Sequence, residues 1–285
     1  MVAACWGGMY TAGRVVAQLL PNFTSATLRF GVASVILVAL AYAREDGLPR
    51  LDRRRFGAML ALALTGAFAF NAFFFASLQR IPAGIGALIQ ALNPVGIAVG
   101  AALVYGDRLT RWRWLGIALA LAGAAVVVGK PADPAAGTAA GHYLGEALML
   151  GSVVSWIAYT LIGRSVLVRT SSLGATTWAA LFGTLLLGAC AVFEHPWAAL
   201  TVLPVKGWFA IGYLGAFGTV LAFLWYNQGV QRLGPTRAAV FTNLVPVFGV
   251  AIAALALGEP IVASMVVGGL MVIAGVALTN RREPS

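Results

Sequence analysis

The chain has 285 residues, of which 60% are hydrophobic and only 10% are charged, and its mean hydropathy is +0.89. These values argue against a soluble enzyme, a disulfide-stabilised scaffold and a nucleic-acid-binding module, in spite of the net charge of +10. One bilayer span takes about 20 apolar residues, so the length allows roughly ten transmembrane helices and no separate soluble domain.

Apolar runs separated by charged residues and by Pro, Gly and Ser predict an all-α polytopic membrane protein. The alternation with a period of two that is typical of a transmembrane β-barrel is missing from the sequence. Ten helical segments are predicted, approximately at residues 2–20, 26–43, 56–79, 82–104, 114–129, 143–163, 172–193, 205–231, 235–257 and 261–280.

The first two segments contain the only basic residues that lie inside apolar runs, Arg14 and Arg29. An arginine at the centre of a transmembrane helix costs about 2.5–3.5 kcal/mol on insertion scales. Both side chains could extend to the outer membrane interface. Alternatively, one of them could hold a substrate carboxylate or brace helix ends through their carbonyls, and the sequence leaves these interpretations open.

Two prolines lie near the centres of the fourth and ninth segments, at Pro94 and Pro246. Each proline removes a backbone hydrogen bond, which frees the carbonyls of Gln90 and Thr242 four residues earlier. Because a free carbonyl is costly at membrane depth, we predict that both kinks face a polar cavity and act as gating hinges.

Further residues are predicted to line this cavity with polar and aromatic side chains. The amides of Asn71, Asn93 and Asn243 are costly in lipid and should face protein or the cavity. Trp156 and Tyr159 lie three residues apart on one helix face, and an aromatic wall would suit aromatic amino acids or lipophilic cations. The predicted cavity residues are Tyr10, Arg14, Asn71, Phe74, Gln90, Asn93, Trp156, Tyr159, Thr242 and Asn243.

The second half of the chain repeats the first. Placing Gln79 on Gln231 gives an offset of 231 − 79 = 152, which holds without a gap for almost fifty residues and superposes Asp107 on Glu259. Each half has an odd number of predicted segments, so the halves enter the membrane in opposite senses, as in transporters with inverted repeats. We predict five-helix halves at 1–130 and 143–285, joined by a linker at 131–142.

Basic residues in the predicted loops indicate the orientation. If the N-terminus is inside, the inner loops and the C-terminal tail contain fourteen arginines, whereas the outer loops contain only Arg80, Lys130 and Lys206. The positive-inside rule therefore predicts that both termini are cytoplasmic, in a bacterial inner membrane.

Several short motifs are spread over the whole chain: Trp6-Gly7, Arg14, Pro21, Arg29-Phe30, Asn93-Pro94, Gly106-Asp107 and Gly258-Glu259-Pro260. Through these residues the sequence resembles the drug/metabolite transporter superfamily, and within it the EamA family. The resemblance implies two pseudo-symmetric five-helix bundles around a central cavity, and it extends to the YddG-like exporters of aromatic amino acids. Two departures are an arginine at position 14, where the family often has lysine, and the lack of a proline after Asp107.

The predicted function is export of small metabolites, amino acids above all, by alternating access. A multidrug or lipophilic-cation exporter on the same scaffold is the alternative, and a channel or a membrane-embedded enzyme are alternatives of another class. The sequence contains no nucleophile–base pair, metal-ligand cluster or Walker motif, so neither a cofactor nor a metal is predicted.

Ionisable residues bear on the energy source. His142 is predicted in a loop and Glu146 at a segment end, and none of the nine acidic residues is predicted at the membrane midplane. Proton-coupled carriers usually keep an ionisable group there, so facilitated diffusion fits at least as well as proton antiport. The expected partners are a small-molecule substrate and lipid, without nucleic acid, and a monomer and a dimer both fit the sequence.

Overall fold

The computed structural model describes residues 1–45, 47–106, 110–128, 139–234 and 244–279. Every regular element in these ranges is helical, which confirms the prediction of an all-α polytopic membrane protein. Six helical stretches are long and apolar enough to cross a bilayer: Asn22–Arg44, Arg55–Leu78, Ala83–Tyr105, Ala140–Val166, Ser172–Glu194 and Val205–Leu233.

Some of these stretches consist of more than one helix, and shorter helices complete the fold. The α-helices are α1 (Val2–Leu19), α2 (Asn22–Arg44), α3 (Arg53–Leu62), α4 (Phe70–Leu78), α5 (Ala83–Gln90), α6 (Asn93–Tyr105), α7 (Arg111–Val128), α8 (Ala139–Val166), α9 (Ser172–Ala191), α10 (Trp197–Thr201), α11 (Val205–Tyr213), α12 (Ala222–Leu233), α13 (Val245–Leu257) and α14 (Ala263–Thr279). A first π-helix, Ala63–Ala69, joins α3 to α4, and a second π-helix, Leu214–Leu221, joins α11 to α12.

The start of α8 corrects two predictions. The helix begins at Ala139 rather than at 143, so the last four residues of the predicted linker are helical, and residues 131–138 lie outside the described ranges. His142, predicted in a loop, and Glu146, predicted at a segment end, are therefore both inside the helix and buried. The error arose because alanine and glycine suit both a linker and a tightly packed transmembrane helix.

The predicted fourth segment is two helices rather than one kinked helix. Helix α5 ends at Gln90, and the amides of Ala91 and Leu92 donate to carbonyls three residues earlier at 3.2 and 3.1 Å, in the 3₁₀ pattern. Pro94 is the second residue of α6, where the amide hydrogen that proline lacks is not required. The proline thus begins a helix after a break instead of bending a continuous one.

Local conformations recur in the two parts of the chain. The π-helix at 63–69 has a counterpart at 214–221. Gly106 ends α6 and Gly258 ends α13, both in the left-handed region with φ of 72° and 69°. A residue with a Cβ atom is strained in that conformation, which explains glycine at both helix ends.

Helices α7 and α14 pack together through four glycines, which we term the glycine seam. A Cβ atom on Gly116 would lie 2.5 Å from the carbonyl oxygen of Gly275, and one on Gly123 would lie 2.6 Å from that of Gly268. Only glycine permits such a close approach of two backbones. The offset of 152 residues places Gly116 on Gly268 and Gly123 on Gly275. Each of the two glycine contacts is therefore the repeat counterpart of the other.

Helix α2 packs along α9, and an acidic side chain caps the start of α2. The carboxylate of Glu194, in the short 3₁₀ helix Val192–Glu194 that follows α9, accepts hydrogen bonds from the amides of Phe23 and Thr24 at 2.9 and 2.7 Å. It also accepts one from the Thr24 hydroxyl at 2.8 Å. The negative charge stabilises the amino-terminal end of the helix dipole.

We expect Glu194→Gln to destabilise the protein by about 1 kcal/mol, because an amide has one acceptor oxygen and no charge at the helix start. In detergent, the melting temperature should fall by about 2–4 °C. Glu45→Gln is the matched control, because Glu45 is exposed and its side chain does not cap any of the described helix starts. The start of α9 is capped by Ser171, whose hydroxyl oxygen accepts from the Gly174 amide at 3.0 Å. Equal shifts in the two variants would contradict the capping role.

Candidate functional site

A small cavity lies where helices from both parts of the chain meet. Its volume is about 30 Å³, which is room for about two water molecules and far less than a metabolite needs. The lining residues are Trp6, Met9, Tyr10, Phe70, Gln90, Ala91, Asn93, Trp156, Phe223 and Val245.

Aromatic rings form most of the cavity wall and contact one another edge to face or tilted. The Trp156 ring lies at their centre, with five ring centroids 5.0–5.5 Å away, those of Trp6, Phe70, Tyr159, Phe223 and Tyr226. The Trp6 indole also donates to the carbonyl of Gly218 in the second π-helix, at 3.2 Å. Such contacts hold the rings in fixed positions and leave a wall suited to flat or apolar groups.

Two amide side chains form the polar side of the cavity. Asn93 Nδ2 donates to Gln90 Oε1 at 2.6 Å, and Gln90 Nε2 donates to Ser152 Oγ at 2.5 Å. Asn93 Oδ1 is buried and has no hydrogen-bond partner. The site therefore offers an unused acceptor, which an ammonium or N–H group of a bound molecule could satisfy.

Two helices begin at the cavity. Asn93 is the first residue of α6 and Val245 is the first residue of α13, and both residues line the cavity. A helix N-terminus carries about half a positive charge and presents free amides, so it attracts a carboxylate. The cavity thus combines two positive helix starts and one negative helix end, that of α5 at Gln90, with an acceptor oxygen and aromatic faces.

The sequence-predicted site residues divide into two groups. Tyr10, Gln90, Asn93 and Trp156 line the cavity. Phe74 lies behind Tyr10, with ring centroids 5.6 Å apart. The remaining predicted residues lie away from the cavity wall or outside the described ranges.

Tyr159 is a predicted site residue that does not line the cavity, although it packs on Trp156. Its hydroxyl is held by Asn227, whose Nδ2 donates to it at 2.8 Å. Pro94 and Pro246 begin their helices beside the cavity. Thr242 and Asn243 lie outside the described residues.

Arg29 is completely buried, at 0% exposure, and is not among the lining residues. Its Nε donates to Thr219 of the second π-helix at 2.8 Å, and its Nη1 donates to Asn71 at 3.0 Å. Asn71 in turn donates to the Ala67 carbonyl of the first π-helix at 2.6 Å, and Arg29 Nη2 contacts Met9 Sδ at 3.0 Å. Arg29 thus joins the two π-helices, and extension to the membrane interface is ruled out.

Arg14 lies apart from the central cavity. It donates to the carbonyl of Leu78 at the end of α4, which matches the interpretation that it braces a helix end. Together with Lys206 and Glu259, Arg14 also borders a second pocket of about 330 Å³, separate from the central cavity. In the described ranges, no three His, Cys, Asp or Glu side chains come together as a metal site needs.

Six of the ten lining residues were missed by the sequence predictions as site residues: Trp6, Met9, Phe70, Ala91, Phe223 and Val245. Trp6 precedes Tyr10 by four residues on α1, so helical spacing could have placed it on the same face. Phe223 lies 130 residues further along the chain than Asn93, and no local pattern connects the two.

Comparisons with known proteins agree with this architecture. The sequence profile of the EamA-like transporter family matches residues 1–129 and again residues 143–281. "Uncharacterized transporter YyaM" of Bacillus subtilis is 31% identical over 270 residues, which cover 95% of this chain and 88% of that protein.

A "probable terminal-alkyne amino-acid exporter" of Streptantibioticus cattleyicolor is 30% identical over 284 residues, covering 99% of this chain and 92% of that protein. A crystal structure of a protein with 22% identity superposes with a TM-score of 0.73, covering 98% of this chain and 94% of the other. That likeness shows that the fold has an experimentally determined counterpart.

Proposed function

The chain belongs to the EamA-like transporter family, and from this premise we propose that it exports amino acids with neutral or aromatic side chains by alternating access. The family and the relatives named above are transporters and not enzymes. The proposal therefore concerns the substrate, the mechanism and the direction of transport.

The composition of the central cavity carries the substrate assignment. The starts of α6 and α13 attract a carboxylate, and Asn93 Oδ1 is free to accept a hydrogen bond from an ammonium group. The rings around Trp156 suit the apolar part of the molecule. A zwitterion with an apolar or aromatic side chain matches all three features. The relative that is a probable amino-acid exporter supports the same class and direction.

A lipophilic cation is the second candidate, because aromatic faces attract cations. None of the lining residues carries a carboxylate, however, and two positive helix ends border the same space. These helix ends favour a substrate that brings its own negative group.

Alternating access is supported by the signs of an inverted repeat. The family profile matches the chain twice, the two π-helices occupy corresponding positions, and the offset of 152 exchanges the two contacts of the glycine seam. We infer ten spans in two inverted halves, 1–130 and 143–285, around the cavity. The arginine-rich loops favour cytoplasmic termini in a bacterial inner membrane.

The cavity of about 30 Å³ is too small for an amino acid. An amino acid can enter only if the walls separate. The break at Ala91–Leu92, with its short 3₁₀ turn beside Gln90 and Asn93, is the hinge at which α5 and α6 would change their angle. Pro94 fixes the start of the second helix at this hinge.

Counterflow in proteoliposomes tests the proposal. Vesicles are loaded with an unlabelled neutral or aromatic amino acid, and the labelled amino acid is added outside. We expect saturable, transient accumulation of label, because alternating access exchanges substrate one molecule at a time. The decarboxylated amine with the same side chain should compete at least about tenfold less well, since it lacks the group attracted by the helix ends; tenfold corresponds to about 1.4 kcal/mol.

Each alternative gives a different result in the same assay. Equal competition by the amine, or inhibition by lipophilic cations without amino acid counterflow, would favour the multidrug exporter. Non-saturating flux without counterflow would indicate a channel. Empty vesicles and vesicles with heat-denatured protein are the controls.

A further inference from the structure

Helix α8 carries a buried ionisable pair that does not line the cavity. Glu146 is 2% exposed and His142, one turn earlier, is 6% exposed. His142 Nε2 lies 3.2 Å from Glu146 Oε1. Glu146 is the one buried acidic residue in the described ranges, where the others lie at helix ends or in loops: Glu45, Asp52, Glu194 and Glu259.

Three polar atoms of the pair have no conventional hydrogen-bond partner. Both carboxyl oxygens of Glu146 and Nε2 of His142 are buried without one. The Ser77 hydroxyl is likewise unpartnered, and the Ser77 carbonyl lies beside Gly145. Because a lone buried charge is unfavourable, the pair is stable here only as a neutral unit. That unit is carboxylic acid with imidazole, or carboxylate with imidazolium, and both forms hold the same exchangeable proton.

Among the residues that the structure describes, few other charges face the pair. Helix α4 leads to Arg80, whose Cβ lies beside Gly145 while its Nη1 donates to the Ala76 carbonyl at 2.6 Å. Helix α5 faces this part of α8 with apolar residues, and Glu259 is bound to its first two amides at 2.8 and 2.9 Å. Helices α6 and α12 meet α8 in its later turns, at Tyr105 and Asn227.

The helix that carries the pair also has a polar contact at the cavity. Ser152, less than two turns after Glu146, donates to the Met149 carbonyl at 2.7 Å and accepts from Gln90 Nε2 at 2.5 Å. Gln90 lines the cavity, and so does Trp156, which is on α8 itself. A substrate that displaces Gln90 therefore acts directly on the helix that carries His142 and Glu146.

We propose that His142 and Glu146 form a proton-binding site that couples transport to the proton gradient. The pair binds one proton when it is open to the outside and releases it when the carrier opens inward, while substrate moves out in the alternate step. This inference goes beyond the transport activity proposed above and requires only that some substrate is carried. It replaces the sequence-based expectation of facilitated diffusion, because that expectation assumed that Glu146 lies at the end of a segment.

The test compares two uptake measurements on one set of proteoliposomes. Counterflow is measured at equal pH on both sides, and gradient-driven accumulation is measured with a difference of one pH unit. With one proton exchanged per substrate, the wild type should concentrate substrate about tenfold, because one pH unit is a tenfold difference in proton concentration. A pH-sensitive dye in the vesicles should report the accompanying proton movement.

Variants identify the residues responsible. In Glu146→Gln, the ratio of gradient-driven accumulation to counterflow should fall at least tenfold and the dye signal should disappear. His142→Gln should lower the same ratio, and Glu146→Asp should recover part of it. Glu45→Gln is the matched control, since Glu45 is exposed and should leave both measurements as in the wild type.

Two results would overturn the inference. One is a wild-type protein that shows counterflow but no accumulation driven by the pH gradient. That result would leave the proposed function intact. The other is a gradient response that persists in Glu146→Gln. If no amino acid shows counterflow, the proposed function fails, and the dye assay is run with a lipophilic cation as substrate. A proton signal lost in Glu146→Gln would then support the proton site, and an unchanged or absent signal would overturn it.

Discussion

Gly275→Ala is expected to melt roughly 4–12 °C below the matched variant Gly31→Ala, the largest stability difference we anticipate for a single added methyl group. The new Cβ would lie 2.5 Å from the Ala120 amide nitrogen and 2.5 Å from the Gly116 carbonyl oxygen. Both are backbone atoms, so only separation of α7 from α14 could relieve the contact. Overpacking of this kind costs about 2–3 kcal/mol.

Gly31→Ala is the matched control for this experiment. Gly31 is also inside an α-helix, α2, but a Cβ atom there would meet nothing within 4 Å. Both variants gain the higher helix propensity of alanine, about 1 kcal/mol, so the difference between them isolates the contact across the seam. The melting temperature is followed by size-exclusion chromatography of heated samples in detergent. A Gly275→Ala protein as stable as Gly31→Ala would contradict close packing of the two helices.

Arg29→Gln is expected to lower the maximal counterflow rate at least about tenfold, or 1.4 kcal/mol in the barrier, with a KM within about twofold of the wild type. Arg29 touches no lining position except the sulfur of Met9, yet it bonds to Thr219 and Asn71 at the two π-helices. Its removal should therefore disturb the movement of the helices more than the binding of substrate.

Two further variants separate charge from geometry. Arg29→Lys should restore little activity, because an ammonium cannot reproduce the planar fork that reaches both Thr219 and Asn71. Arg14→Gln should have the smaller effect, since Arg14 holds one carbonyl at the end of α4. Rates are compared at equal amounts of monodisperse protein. A raised KM with an unchanged rate in Arg29→Gln would instead place Arg29 at the substrate carboxylate.

Much of the membrane fold could be predicted because the required signal is long and local. Runs of about 20 apolar residues identify spans whatever their partners are. Asn93 and Trp156 were placed at the cavity because polar or aromatic side chains in the middle of a span need protein neighbours. Gln90 was placed there because Pro94 frees its backbone carbonyl.

The rest depended on contacts between distant parts of the chain. The two main partners of Arg29 are 42 and 190 residues away, so the sequence could not decide between binding, bracing and extension to the interface. The π-helices leave no pattern in a stretch of apolar residues. The start of α8 was misjudged because alanine and glycine give no boundary signal, and this single error hid the His142–Glu146 pair.

The glycine seam joins two helices that enter the membrane at different times during synthesis. Gly116 is inserted into the membrane 275 − 116 = 159 residues before its partner Gly275. At a synthesis rate of about 5–20 residues per second, α7 waits roughly 8–32 s with its glycine face against lipid. During that interval nothing from α14 covers the glycines of α7, so the seam can close only after α14 has entered the membrane.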